Sequence, residues 1–297
     1  MKMRGFFAIL LVTGLVFSCK SDPAPAAAPE KEPRSSLKPD RIEAADPDRV
    51  TLYFALRVEN PRSVPLHVEV ASWRVLFDGA ALDAETAALG TPGRDGEGGG
   101  PDILRLEVPE GAAELPLALD IDLKKWGGEG EGTDECRAAL TLDLSRRYGG
   151  EELPTETVGA EALFPRIRRP EFTITEIAIL QAELVNTRFR VTVRIDNPNV
   201  FPVNLSSFGY ELYGAGRFWA DGKEKDVLRI PARDSAEVKL FLMMNFINMR
   251  RELLDEIIAM RQVRYRFSGE ALVETDISWL PEFRMRFDRS GRSDVFR

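Results

Sequence analysis

The chain has 297 residues, with 40 Lys and Arg against 48 Asp and Glu, a formal charge of −8, one histidine and two cysteines. An acidic balance counts against a nucleic-acid partner, and one histidine with two cysteines leaves no Cys/His set for zinc. About 250 residues beyond the N-terminal region fit two domains of ordinary size.

Met1–Cys19 reads as a targeting segment. Lys2 and Arg4 form a basic start, and the apolar run Phe6–Phe17 falls short of the roughly 20 residues that span a bilayer. The run ends in Val16-Phe17-Ser18-Cys19. A small residue before a cysteine at that point resembles a bacterial lipoprotein cleavage box. The resemblance implies that Cys19 becomes the first residue and carries a diacylglycerol anchor. The competing readings are an ordinary secretory signal and an uncleaved anchor. Residues 20–48, rich in Pro, Ala, Glu and Lys, hold too few large apolar residues to offset their ordering entropy. They read as a disordered tether.

Residues 49–164 read as a first domain. Leu52, Phe54, Leu56 and Val58 alternate with polar residues, the period of a strand with one buried face. Asn60-Pro61 stops the strand, because proline cannot donate to a ladder and asparagine tolerates turn geometry. Pro65 follows the turn, then Trp73 and Gly79. Gly90–Pro101 is a glycine-rich loop, and Leu115–Leu123 and Ala138–Leu144 alternate again. Gly127–Thr133 is too glycine-dense for a stable helix. The run Pro165-Arg166-Ile167-Arg168-Arg169-Pro170 reads as a hinge.

Residues 165–297 read as a second domain. Phe172, Ile174 and Ile177 lead in, and Phe189, Val191, Val193 and Ile195 alternate up to Asn197-Pro198-Asn199. Pro202 follows, then the aromatic run Phe208, Tyr210, Leu212, closed by Gly214 and Gly216. Val238, Leu240 and Leu242 mark another strand. Phe246–Met260 reads as an amphipathic helix, with Phe246, Met249, Leu253, Ile257 and Met260 at spacings of three and four, capped by Asn245 or Asn248. Val263, Tyr265, Phe267 and Phe283, Met285, Phe287 alternate as closing strands.

The two copies align without a gap from Leu52/Phe189 to Gly79/Gly216, with Asn60-Pro61 on Asn197-Pro198 and Pro65 on Pro202. A shared strand period arises easily; a shared Asn-Pro, second proline and glycine in one register points to an internal duplication. Alternating strand, Asn-Pro-Asn, proline, aromatic strand and glycine turn together resemble the late-embryogenesis-abundant type 2 (LEA type 2, or WHy) domain. The likeness covers residues 170–287 well and 50–164 more loosely. It implies a small β-sandwich with one helix and non-enzymatic roles in stress protection or in holding apolar ligands. The expected fold is mostly β: two tandem antiparallel sandwiches of the immunoglobulin or fibronectin-III kind, the second with one helix.

Catalytic constellations are sparse. His67 is the only histidine, and no Gly-x-Ser-x-Gly elbow surrounds any serine. Cys136 reads as a buried, inert thiol. Gly214-Ala215-Gly216 lacks the third glycine and following helix of a dinucleotide loop and reads as a hairpin turn. Asp95-Gly96-Glu97 lacks a full calcium ligand set, and Asp120 and Asp122 share one strand face as solvated carboxylates. Residues 165–297 carry 22 Lys/Arg against 19 Asp/Glu, with Arg188, Arg190, Arg194, Arg264, Arg266, Arg284 and Arg286 at outward positions. Solvated faces are the plain reading; a basic sheet face meeting lipid phosphates or an acidic partner is the sharper one.

The expectation is therefore a non-catalytic lipoprotein of the bacterial envelope, anchored through Cys19, without cofactor or metal. Its alternative is a carrier of lipid or another apolar ligand; an enzyme is a distant third. For the carrier, Met244, Met249 and Leu253 are the candidate contacts, since methionine adapts to varied apolar partners. Asn60, Pro61, Asn197 and Pro198 are expected to serve as structural turns.

Overall fold

The computed structural model describes residues 31–92, 104–126, 133–181, 186–245 and 262–296. The chain divides into two units, Met1–Glu32 and Pro33–Arg297. Within the second unit nearly every described element is a strand. The first half runs β1 (Arg34–Asp46), β2 (Arg49–Asn60), β3 (Leu66–Phe77), β4 (Ala80–Ala81), β5 (Ala87–Gly90), β6 (Arg105–Val108), β7 (Gly111–Asp122), one helical turn α1 (Leu123–Trp126), β8 (Glu135–Tyr148) and β9 (Glu151–Pro165). The second runs β10 (Glu171–Gln181), β11 (Asn186–Asp196), β12 (Val203–Gly214), β13 (Arg217–Glu224), β14 (Leu228–Ile230), β15 (Ser235–Asn245), β16 (Gln262–Thr275) and β17 (Glu282–Phe296).

Alternation builds these strands. Leu52, Phe54, Leu56 and Val58 of β2 are at most 1% exposed, while Arg57 and Glu59 between and beyond them face solvent. One core gathers that face together with Leu117 and Leu119 of β7, Phe77 of β3, Leu140 and Leu142 of β8 and Phe164 of β9. A second core gathers Phe189, Val191 and Val193 of β11 with Tyr210 and Leu212 of β12, Phe267 of β16 and Phe287 of β17. Burying a side chain of this size contributes about 1.5–3 kcal/mol, so the two inner faces dominate the stability of the unit.

Among the described residues the pairing is antiparallel, apart from a short parallel contact of β10 with the end of β17 at Ile177↔Val295 and Ala178↔Phe296. The strand order is β1-β2-β7-β5 in one sheet and β4-β3-β8-β9 in another, with β6 on β3; in the second half it is β13-β12-β16-β17-β10-β11-β15, with β14 on β12. In strand order β10-β11-β15 corresponds to β1-β2-β7, and β13-β12-β16-β17 to β4-β3-β8-β9, but in the second half the β10–β17 contact joins the two sets into one eight-stranded sheet. Strand β5 has no counterpart among the described residues.

Two expectations need correction. The tether was expected to run to Asp48, yet Arg34–Asp46 is a thirteen-residue strand paired along β2 from Arg34↔Glu59 to Asp46↔Arg49. Only Leu37 of that strand is buried. Leu37 and the half-buried Ile42 touch the first core, and the rest of its order comes from ladder hydrogen bonds to β2, which composition alone does not reveal. Pro39 sits where the register shifts, a position that an edge strand allows to proline.

The expected hinge is pinned. Arg166 pairs with Asp78, Arg168 and Arg233 with Asp134, and the Arg169 guanidinium grips both Asp48 carboxylate oxygens at 2.6 and 2.8 Å. Trp279 packs on both cores, meets Phe164 edge-on at 5.9 Å between ring centroids, and accepts a hydrogen bond from the Ala44 N–H. Helix Phe246–Met260 lies outside the described residues, as do Gly127–Glu131 and Asp95–Glu97 of the glycine loops.

Candidate functional site

Asn60, Asn197 and Asn199, three of the six buried polar residues among those described, sit in the two Asn-Pro turns. The Asn60 Nδ2 donates to the carbonyls of Val64 at 2.8 Å and Val108 at 2.9 Å. Its Oδ1 accepts from the Arg62 N–H at 3.0 Å and the Tyr148 hydroxyl at 2.7 Å. The Asn197 Nδ2 donates to the carbonyls of Phe201 and Pro231, both at 2.9 Å. Its Oδ1 accepts from the Asn199 N–H at 3.0 Å and the Asn199 Nδ2 at 2.8 Å. Residues 62 and 64 stand to Asn60 as 199 and 201 stand to Asn197, so the two side chains make equivalent bonds within their turns.

Asparagine fits because one short side chain supplies two donors and an acceptor with two lone pairs. Both are almost fully buried, at 1% and 2% exposure. Pro61 and Pro198 have no N–H to satisfy at the strand end. The arrangement closes a turn and leaves no polar atom aimed at a ligand. Sequence reasoning did not anticipate the third partner, Asn199. Its Nδ2 donates to the Arg168 carbonyl at 2.8 Å and its Oδ1 accepts the Arg168 N–H at 2.7 Å, which ties the turn to the segment between β9 and β10. Tyr148 was missed as well; only its place at the end of an alternating strand could have marked it.

The hairpin ends match too. Asp78 and Gly79 have φ of 48° and 86°, and Ala215 and Gly216 have φ of 50° and 78°. Two consecutive positive φ values are the geometry of a tight hairpin whose twist suits the flanking strands. Gly214-Ala215-Gly216 therefore serves as the β12–β13 turn.

The remaining chemical candidates are occupied or shielded. Cys136 on β8 is 1% exposed, and burial pushes its thiol up to about 11, which keeps it protonated and unreactive at neutral pH. His67 sits mid-sheet, with Glu107 and Arg147 opposite it on the two flanking strands. Asp120 accepts the Thr51 hydroxyl at 2.5 Å, and Asp122 accepts the Lys125 N–H at 3.1 Å. These two line a recess of about 630 Å³ with Glu43, Arg49 and Thr86. Thr86 gives its hydroxyl to Asp83, which holds that carboxyl below its usual range. Burial pushes the Tyr210 hydroxyl up to about 12. No group of three or more metal-ligating side chains occurs among the described residues.

Cys19, Met249 and Leu253 lie outside the described residues; Met244 falls on β15 opposite Thr187, with its side chain outside them. Of the seven outward arginines, Arg190 pairs with Glu176, Arg194 with Asp196, Arg266 with Asp288 and Arg286 with Glu270.

Residues 192–291 match the family model LEA_2, described as late embryogenesis abundant protein. One LEA type 2 domain thus lies in the second half. Among solved structures, one from Arabidopsis thaliana aligns over 45% of this chain and 86% of its own length, at 16% identity and a TM-score of 0.34. A protein from Archaeoglobus fulgidus aligns over 43% of this chain and 96% of its own, at 16% identity and a TM-score of 0.26. A β-glucuronidase from Bacteroides uniformis aligns over 81% of this chain but 26% of its own, at 8% identity and a TM-score of 0.26. No curated protein matches the chain.

Proposed function

We propose that this is a non-catalytic lipoprotein of the bacterial envelope, anchored through Cys19, with two tandem LEA type 2-like sandwiches in a structural or stress-protective role. The observation that carries the reading is the repeated turn. Asn60 bonds the Val64 carbonyl as Asn197 bonds the Phe201 carbonyl, at one register, inside strands that pair in the same order. Two halves that share a buried side-chain bond and a strand order are best understood as copies. The LEA type 2 match in the second half extends by that symmetry to the first. Support for a non-catalytic role lies in the use of the candidate groups: the carboxylates of Asp120 and Asp122 each accept hydrogen bonds, and the thiol of Cys136 is sealed in a core.

The anchor has its own test. Cells expressing the full chain are fed a palmitate analogue that can be labelled. Label is expected on the wild type and none on Cys19→Ser, which should also leave the membrane fraction, since removal of the acyl chains removes the attachment. A wild type without label overturns the lipoprotein reading.

A second reading, a carrier of lipid or another apolar ligand, is favoured by Phe241 and Met243. These stand on one face of β15 at 69% and 57% exposure. On this reading the purified protein arrives with lipid bound, visible as a mass increment in native mass spectrometry that organic extraction removes. A single mass equal to that of the acylated chain alone leaves the structural role and rejects the carrier.

A further inference from the structure

The outer face of β16 and β17 is a ladder of charges. Arg286 lies directly opposite Glu270 and bonds it at 2.9 Å. Arg266 reaches diagonally to Asp288 and grips both carboxylate oxygens, at 2.9 and 2.6 Å. At the end of the ladder nearest the β12–β13 turn the pattern reverses: Arg264 lies directly opposite Arg292. Neither forms an ion pair among the described residues, and both are exposed. The carboxylates around them are engaged elsewhere. Asp288 holds Arg266, Glu211 accepts the Tyr213 hydroxyl at 3.0 Å, and Asp294 accepts the Gln262 amide at 3.0 Å.

Like charges placed directly opposite destabilise a sheet, with Cβ atoms only about 5 Å apart. On a face where the neighbouring arginines are neutralised by cross-strand acids, this pair costs stability that no carboxylate among the described residues recovers. We propose that Arg264 and Arg292 bind one phosphate group between them. The two residues border a recess of about 630 Å³ together with Tyr213, Gly216, Ser290 and Gly291. The Ser290 hydroxyl, without a hydrogen-bond partner among the described residues, adds a donor at its edge. One guanidinium fork already satisfies a carboxylate; two forks and a hydroxyl suit the larger oxygen set of a phosphate monoester or diester. The phosphate could be free or part of a lipid headgroup, and the site stands whether or not Cys19 is acylated.

The test uses the purified full chain, titrated by calorimetry at constant ionic strength with inorganic phosphate and, separately, with dihexanoyl-phosphatidylglycerol below its micelle concentration. The wild type is expected to bind at least one of them saturably. The double variant R264Q/R292Q should bind at least tenfold more weakly, while R284Q, further along β17, should bind as the wild type does. The double variant should melt no lower than the wild type, because the opposed charges are gone, so weaker binding cannot be ascribed to a lost fold. Tenfold tighter binding of the lipid than of inorganic phosphate assigns a headgroup; equal or weaker binding of the lipid assigns the free anion. No saturable binding of either probe, or undiminished binding by the double variant, overturns the proposal.

Discussion

Asn197→Ala is expected to lower the stability of the unit by about 3–5 kcal/mol, and Asn60→Ala by a similar amount. The substitution strips hydrogen bonds from the carbonyls of Phe201 and Pro231 and from the N–H of Asn199. Each buried group left unpaired costs about 1–3 kcal/mol, and water reaches a side chain at 2% exposure poorly. Asn197→Asp is the sharper test. It keeps the shape and the oxygen that accepts from Asn199, but it turns a carboxylate oxygen toward the carbonyls that the amide nitrogen had served. It should therefore be at least as damaging as alanine at neutral pH, and less so in acid, where a protonated carboxyl can donate once. Urea denaturation followed by tryptophan fluorescence measures all three. A loss below about 1 kcal/mol for both alanine variants would mean that the turns tolerate open carbonyls, and the equivalence of the two copies would lose its physical meaning.

These turns are legible in the sequence because their signal is local. Alternation of period two predicts a strand with one buried face, and Asn-Pro predicts where it stops; Phe189 to Ile195 and Leu52 to Val58 do both. Strand β1 carries no such signal. Its side chains are mostly exposed, and its order comes mainly from pairing with β2, which lies beyond any window of composition. The arginines between β9 and β10 were visible as a charge run, but their partners Asp48, Asp78 and Asp134 are scattered through the first half. Ion pairing has no period, so the segment reads as a hinge until the fold brings the acids to it. The same limit hid Asn199: the Asn-Pro-Asn string announces a turn, and only the fold shows that its last member also clamps Arg168.

Glycines on the inner faces carry a second non-local constraint, and it sets the other large effect. Gly269→Ala is expected to cost about 3 kcal/mol or more. A Cβ at that position would lie 2.0 Å from the Gly209 carbonyl oxygen and 2.8 Å from the Phe287 ring. The first of these is backbone of the neighbouring strand β12, which cannot rotate away as a side chain can, so β12 and β16 must part where Tyr210 pairs with Gly269. Gly222→Ala meets a softer obstacle, the Tyr210 hydroxyl at 2.4 Å, which belongs to a side chain and not to backbone; its loss should be about 1–3 kcal/mol. Gly159→Ala meets nothing closer than 3.5 Å and has no positive φ. It should be neutral or stabilising by a few tenths of a kcal/mol, through a less free unfolded chain. At about 2–4 °C per kcal/mol for a unit approaching this size, the three variants should separate clearly in a thermal melt, in the order Gly269, Gly222, Gly159 from most to least damaged. If Gly269→Ala melted with the wild type, the close approach of β12 and β16 at this point would be wrong. The glycine would then be a matter of history and not of packing.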